Sequence, residues 1–250
     1  MQELIALATH LADEAGIIAR EYFRQPFDIQ RKADQSPVTI ADQSIEARLR
    51  EILQRERPQD SILGEEFDNI QGTSNLTWVI DPIDGTKSFM MGRPTFGTLI
   101  ALCEDSKPIL GIIDQPISNE RWIGAKGHPT TLNGMPIQTR KNVTLDTAVM
   151  ASTTPEMFDT PIYERFGKHR FAWGSDCYAY GLLASGHVDL ILEDDLKPFD
   201  FAALSPIIEG AGGFIRDWQG NPLTLASKGQ VIALGDPALW NATHAHLTEA

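Results

Sequence analysis

Trp78-Val79-Ile80-Asp81-Pro82-Ile83-Asp84-Gly85-Thr86-Lys87-Ser88-Phe89 is the stretch on which the reading of this chain turns. Trp78, Val79 and Ile80 are strong β-formers and predict the end of a buried strand. Pro82 fixes its own φ and lacks an N–H, so regular strand pairing is expected to stop there. Asp84-Gly85 is a turn signal, and Thr86-Lys87-Ser88 is suited to opening a short helix. Two carboxylates three residues apart thus leave a strand end beside a tight glycine turn and the free N–H groups of a helix start.

Hard divalent cations take oxygen ligands, and Mg²⁺ bound by carboxylates keeps several waters in its shell. Helix-start N–H groups attract phosphate. The pattern suits a metal-assisted phosphate site better than an acid/base pair. An isolated Asp-x-x-Asp-Gly is equally a strand running into a turn, with both aspartates capping local N–H groups.

The rest of the chain narrows the setting. Its 250 residues are long enough for one domain or two lobes, and 42% hydrophobic with 22% charged residues is an ordinary globular composition. A net charge of −13 repels nucleic acid and anionic membrane, and only the isolated pairs Arg31-Lys32 and Arg140-Lys141 stand against it. Cys103 and Cys177 are far apart and lack metal-ligand spacing, so we expect no disulfide framework and a reducing, cytoplasmic setting. Glu3, Asp13 and Glu14 near the N-terminus argue against a signal peptide, and no apolar run approaches the ~20 residues that span a bilayer.

Leu4, Leu7, Leu11, Ala15, Ile18 and Tyr22 predict an amphipathic first helix, and Ile45, Leu49 and Ile52 a second from about Thr39 to Arg55. Asp42 falls in the first turn of that helix, where the helix dipole alone would favour a carboxylate. Ser61-Ile62-Leu63-Gly64 predicts a short strand delivering Glu65 and Glu66. Strands are expected at 95–103, 109–114 and 121–124, with a hairpin turn at Asn133-Gly134, an antiparallel meander. The polar stretch 140–146 is the candidate lobe boundary. Beyond it, strands at 147–152, 170–173, 188–192, 213–216 and 231–234 alternate with helical patterns at 155–167, 177–185, 199–211 and 237–248. His244 and His246 could take a stray metal, but no other ligand type accompanies them.

Asp-Pro-Ile-Asp-Gly-Thr resembles the signature of the inositol monophosphatase superfamily, and four blocks match in order over nearly the whole length. They are 32–42, Gly64-Glu65-Glu66, Asp81 to Thr86, and Phe199-Asp200 followed by Gly210-Ala211-Gly212-Gly213. Most members carry Trp or Tyr where this chain has Phe199. With the pattern above, the resemblance implies an α/β fold, a layered αβαβα sandwich. An antiparallel-rich N-terminal α+β lobe (1–142) would pack on a C-terminal α/β lobe (143–250).

The same resemblance implies a Mg²⁺-dependent phosphomonoesterase with two or three ions. Glu65, Asp81 and the Ile83 carbonyl would bind the first ion; Asp81, Asp84 and Asp200 would bind the second. Glu65 would also share a weaker third ion. Thr86 with Glu65 would orient the attacking water, Gly85 and Thr86 would hold phosphate through their N–H groups, and Lys32 and Asp42 would lie close by. Hydrolysis by direct attack of water, lithium sensitivity and a homodimer are further implications.

Gly174 to Gly181, Glu193 to Asp200 and Lys87-Ser88-Phe89 resemble the histidinol-phosphate phosphatase branch. Asp176 matches a branch-specific acid near the substrate's organic end, and Glu193 matches the position that contacts the leaving alcohol. Such a pocket should favour a cationic alcohol such as histidinol. The alternatives are an inositol 1-phosphate or broad sugar-phosphate phosphatase and, from another class, a regulatory binding protein using the same fold. Glu193-Asp194-Asp195 could also be a solvated charge run.

Overall fold

The computed structural model describes residues 1–25, 29–31, 37–158 and 162–248. The first half runs α1 (Gln2–Tyr22), β1 (Ile29–Arg31), β2 (Pro37–Thr39), α2 (Ile40–Glu56), β3 (Ser61–Gly64), β4 (Leu76–Asp84), α3 (Thr86–Met90), β5 (Gly97–Glu104), β6 (Lys107–Gln115), β7 (Glu120–Ala125), β8 (Thr131–Leu132) and β9 (Met135–Pro136). The second half adds β10 (Met150–Ser152), β11 (Phe171–Trp173), α4 (Asp176–Ala184), β12 (Leu190–Glu193), α5 (Pro198–Phe201), α6 (Leu204–Gly210), β13 (Phe214–Arg216), β14 (Val231–Leu234) and α7 (Trp240–Thr248).

Among the described residues, β3 to β9 form a seven-stranded sheet in sequence order, parallel only between β3 and β4. A five-stranded sheet has the order β11-β10-β12-β14-β13, with β10 parallel to both neighbours and the remaining pairs antiparallel. β1 and β2 make a separate antiparallel ribbon.

Alternation along the strands builds the layers, because successive side chains leave opposite faces. Trp78, Ile80, Ile100, Leu102, Leu110 and Ile112 pack with the apolar faces of α1 and α2. Their strand neighbours Val79, Leu99, Ala101 and Ile113 face α4, α6 and the inner residues Ile191, Val231 and Ala233 of the second sheet. The other face of that sheet presents Met150, Leu190, Leu192, Ile232 and Leu234 to Phe158, Ile162, Phe166 and Leu247 of α7. The result is the expected αβαβα stack. The chain passes from the first sheet to the second across 137–149, and we propose the lobe division at 142/143 within it.

Three local expectations are corrected. β4 does not stop before Pro82: a register shift between Asp81 and Asp84 carries the strand on to Asp84, and the Pro82 carbonyl accepts the Thr98 hydroxyl at 2.8 Å. The pattern at 199–211 is two helices rather than one. Pro206 has no N–H for the Ala202 carbonyl, so the chain breaks at Ala202-Ala203 and restarts with proline in the first turn of α6. The apolar pattern at 155–167 is met by 3₁₀ turns at Pro155–Met157 and Ile162–Phe166, with residues 159–161 outside the described set. Phe158, Ile162 and Phe166 reach the outer core from these turns without a continuous helix.

Candidate metal-dependent active site

The bulged end of β4 aims the central carboxylates. Asp81 is buried at 2% exposure, and the register shift releases Asp84 toward the same space. Gly85 then takes φ +83°, ψ 42°, and an added Cβ would lie 2.7 Å from Cγ of Asp176. Only glycine fits this turn. α3 follows at once, its Phe89 N–H donating to the Gly85 carbonyl at 3.0 Å, and Thr86 Oγ1 donates to the Ile83 carbonyl at 3.2 Å.

Asp200 arrives from the other sheet's side of the molecule, in the first turn of α5, where Oδ2 accepts the Lys197 N–H at 2.6 Å. Ligand atoms of Asp81, Asp84 and Asp200 all lie within 4.8 Å of one another. Glu65, just past β3, is in hydrogen-bond contact with Asp81, and its charge also acts on Asp200 and Asp42.

The acids crowd one another in a buried space. Burial, then repulsion by Glu65, Asp84 and Asp200, holds Asp81 well above the usual carboxylate range. Burial, then Asp176 and Asp200, does the same to Asp84. Asp200 is raised to about 7, chiefly by burial, despite the Lys197 N–H. Asp81 Oδ1 is buried without a hydrogen-bond partner. An orphaned oxygen within an all-carboxylate donor set fits a hard divalent cation.

Asp42 is buried and completes a capping box, its Oδ2 accepting the Thr39 N–H at 2.8 Å and the Thr39 hydroxyl at 2.5 Å. Burial first, opposed by Thr39, raises it to about 6. Lys32, expected nearby, lies outside the described residues.

The two expected substrate acids occupy different settings. Asp176 opens α4 in a left-handed conformation, φ +45°. Its Oδ2 accepts Ser88 Oγ at 2.5 Å and Thr95 Oγ1 at 3.4 Å, and the charges of Arg93 and Lys87 lie near it. The next N–H, of Cys177, donates to Asp84 Oδ2 at 2.6 Å, so the start of α4 also steadies a central acid. Glu193 ends β12, and its Oε1 accepts the Thr153 N–H at 2.8 Å and hydroxyl at 3.2 Å, while Oε2 is buried without a partner. Burial raises Glu193 well above the usual range. Asp195 is exposed and pairs with Lys197 at 2.6 Å. His244 and His246 pack against Trp240 and Phe166.

Sequence reading gave no role to Ser88, Thr95 and Thr153, which hold Asp176 and Glu193, or to Tyr180, whose buried hydroxyl lacks a partner near Glu193, Asp84 and Asp200. Ser88 and Tyr180 fall in stretches that resemble the histidinol-phosphate phosphatase branch, but what each touches depends on contacts between distant segments.

The model of the inositol monophosphatase family matches residues 1–250. A bifunctional phosphatase, IMPL2, of Arabidopsis thaliana is 46% identical over 94% of this chain and 72% of that protein. A histidinol-phosphatase of Chlorobaculum parvum is 34% identical over 92% of this chain and 91% of its own. The solved structure of an inositol monophosphatase from Zymomonas mobilis superposes with a TM-score of 0.90, at 48% identity, covering 99% of this chain and 98% of that one. With Asp81 and Asp84 on a bulged strand end met by Asp200 from α5, its five layers and a match from first residue to last, the chain belongs to the inositol monophosphatase family, a family of metal-dependent phosphatases.

Proposed function

We propose that this phosphatase hydrolyses histidinol phosphate with Mg²⁺, releasing histidinol and phosphate, and so serves histidine biosynthesis. The observation that carries the choice of ester is Glu193. Its carboxylate is fully buried, one oxygen is fixed by Thr153 and the other has no partner. A cationic alcohol supplies the missing donor and charge. The likeness to a histidinol-phosphatase over nearly the whole chain supports the same ester.

In this reading Glu65, Asp81 and the Ile83 carbonyl would hold one ion, Asp81, Asp84 and Asp200 would hold a second, and Glu65 would contribute to a weaker third. Bound ions of this kind activate water, neutralise phosphoryl oxygens and stabilise a leaving alkoxide. The chain's own groups do the positioning. The Thr86 hydroxyl, already tied to the Ile83 carbonyl, orients the attacking water with Glu65. The N–H groups of Gly85 and Thr86 hold the phosphate, and Asp42 adjusts the surrounding charge; the family resemblance gives Lys32 an electrostatic role as well. Asp176 and Glu193 receive the organic end, and no residue becomes phosphorylated.

Inositol 1-phosphate or a broader set of sugar phosphates is the second reading. Lys87 and Arg93 beside Asp176 favour it, because they offset part of the pocket's negative charge. Turnover with Mg²⁺ separates the two: kcat/KM should be at least about tenfold higher on histidinol phosphate than on inositol 1-phosphate, the minimum expected of one charge-assisted contact. The reverse order would overturn the choice of ester. No helix among the described residues is long and apolar enough to cross a membrane. Cytoplasmic location, lithium sensitivity and a homodimer complete the proposal; light scattering near twice 27.6 kDa checks the last.

A further inference from the structure

Asp42, Glu46 and Arg50 recur every four residues along α2, so they form one stripe of that helix. All three are buried: Asp42 and Glu46 at 0% exposure, Arg50 at 7%. Asp42 is occupied in capping. Glu46 and Arg50 play no part in the chemistry above, yet burying an ion pair brings little net stability.

What the pair touches shows its use. Arg50 Nε donates to Glu46 Oε1 at 2.7 Å. Glu46 Oε2 accepts the Glu66 N–H at 2.8 Å, and Oε1 accepts the Phe67 N–H at 3.2 Å. From the cationic end, Arg50 Nη1 donates to the Asp68 carbonyl at 2.9 Å and Nη2 to the Phe67 carbonyl at 3.0 Å. Residues 65–68 are bends and coil without ladder partners, so the ion pair satisfies backbone groups that no strand does. On the other side, a Cβ on Gly64 would lie 2.1 Å from Glu46 Oε1 and 2.9 Å from Arg50 Nη2, so the chain runs directly over the pair. Glu65 stands between these two fixed points.

We infer that Glu46 and Arg50 are positioning residues, a buried clamp that sets the backbone on both sides of Glu65 and thereby the aim of its carboxylate at the metal site. The inference rests on the metal-site reading above and adds the device that holds one of its ligands. Groups behind a ligand typically change metal affinity by about 10–100-fold when removed. A merely structural pair would lower stability without acting through Glu65.

The test is direct calorimetric titration of Mg²⁺ into wild type, Glu46→Gln and Gly64→Ala, and into the same two changes combined with Glu65→Gln. Circular dichroism confirms that each variant is native. We expect Glu46→Gln and Gly64→Ala each to weaken Mg²⁺ binding by roughly 10–100-fold, and to add little once Glu65 is already Gln. Unchanged affinity in the folded variants, or equal weakening with and without Glu65, overturns the clamp. If Glu46→Gln fails to fold, Gly64→Ala, which leaves both charges in place, decides the question. A wild type that binds no divalent cation would instead sink the metal reading on which the clamp depends.

Discussion

Asp84 illustrates how much of this site is set by single atoms. Its backbone is the last residue of β4, Oδ2 takes the Cys177 N–H, and its ligand atom lies within 4.8 Å of those of Asp81 and Asp200. Replacing it with Asn keeps an oxygen and the shape but removes the charge that a divalent ion needs. Asp84→Asn is therefore expected to stay folded while activity falls by several orders of magnitude. Steady-state assays across a Mg²⁺ series check this, and near-native kinetics at saturating Mg²⁺ would contradict it. Asp81, Asp84 and Asp200 were legible in the sequence because each sits in a short local motif. The hydroxyls that hold Asp176 were not: Ser88 is 88 residues away and Thr95 is 81. Contacts of that kind exist only after the sheets have stacked.

At the scale of elements, the turn from β4 into α3 carries the strictest requirement. Gly85 has a left-handed backbone, and Cγ of Asp176 occupies the space a Cβ would need. Gly85→Ala should cost at least about 1–3 kcal/mol in backbone strain alone. It should also push Asp176 off Ser88 and the start of α4 off Asp84. Thermal melts together with kcat/KM test this; an alanine variant with wild-type melting and turnover would show that the turn tolerates a side chain. Strand and helix starts were readable where composition dominates, as in α1, α2 and β3. They were misread where a proline's effect depends on its surroundings. Pro82 passes within a strand because a bulge accommodates it, whereas Pro206 splits a helical pattern through its missing N–H.

For the molecule as a whole, the inner layers concentrate negative charge that the fold alone does not compensate. Asp42 and Asp200 are raised to about 6 and about 7, and burial and neighbouring acids hold Asp81 and Asp84 well above their ordinary value, near 3.8. Between pH about 4 and 7 the metal-free folded chain keeps protons that the unfolded chain has released. Its stability contribution from these groups therefore falls as pH rises, with no penalty below pH about 4 and the penalty of Asp42 and Asp200 complete above about 7. In the proposed reading, Mg²⁺ would supply the missing positive charge. The gain in Tm on adding Mg²⁺ should accordingly be small at pH 5 and grow toward pH 8. A gain independent of pH across that range would mean that the ion does not meet these carboxylates. The residue pattern alone showed an antiparallel first half and an alternating α/β second half; the five-layer order came with the family resemblance, because which faces meet is decided only when the two sheets stack.

In the proposed site, buried Glu193 receives the cationic end of the alcohol beside the acids around Asp81. The most direct measurement is kcat/KM of Glu193→Gln on histidinol phosphate and on glycerol 2-phosphate, each at saturating Mg²⁺. A charge-assisted hydrogen bond contributes roughly 1.5–3 kcal/mol, so efficiency on histidinol phosphate should fall about tenfold to a hundredfold. Glycerol 2-phosphate makes no such contact and should change little, since the acids around Asp81 are untouched. Equal losses on both esters, or no loss on either, would contradict the account and remove Glu193 from substrate recognition.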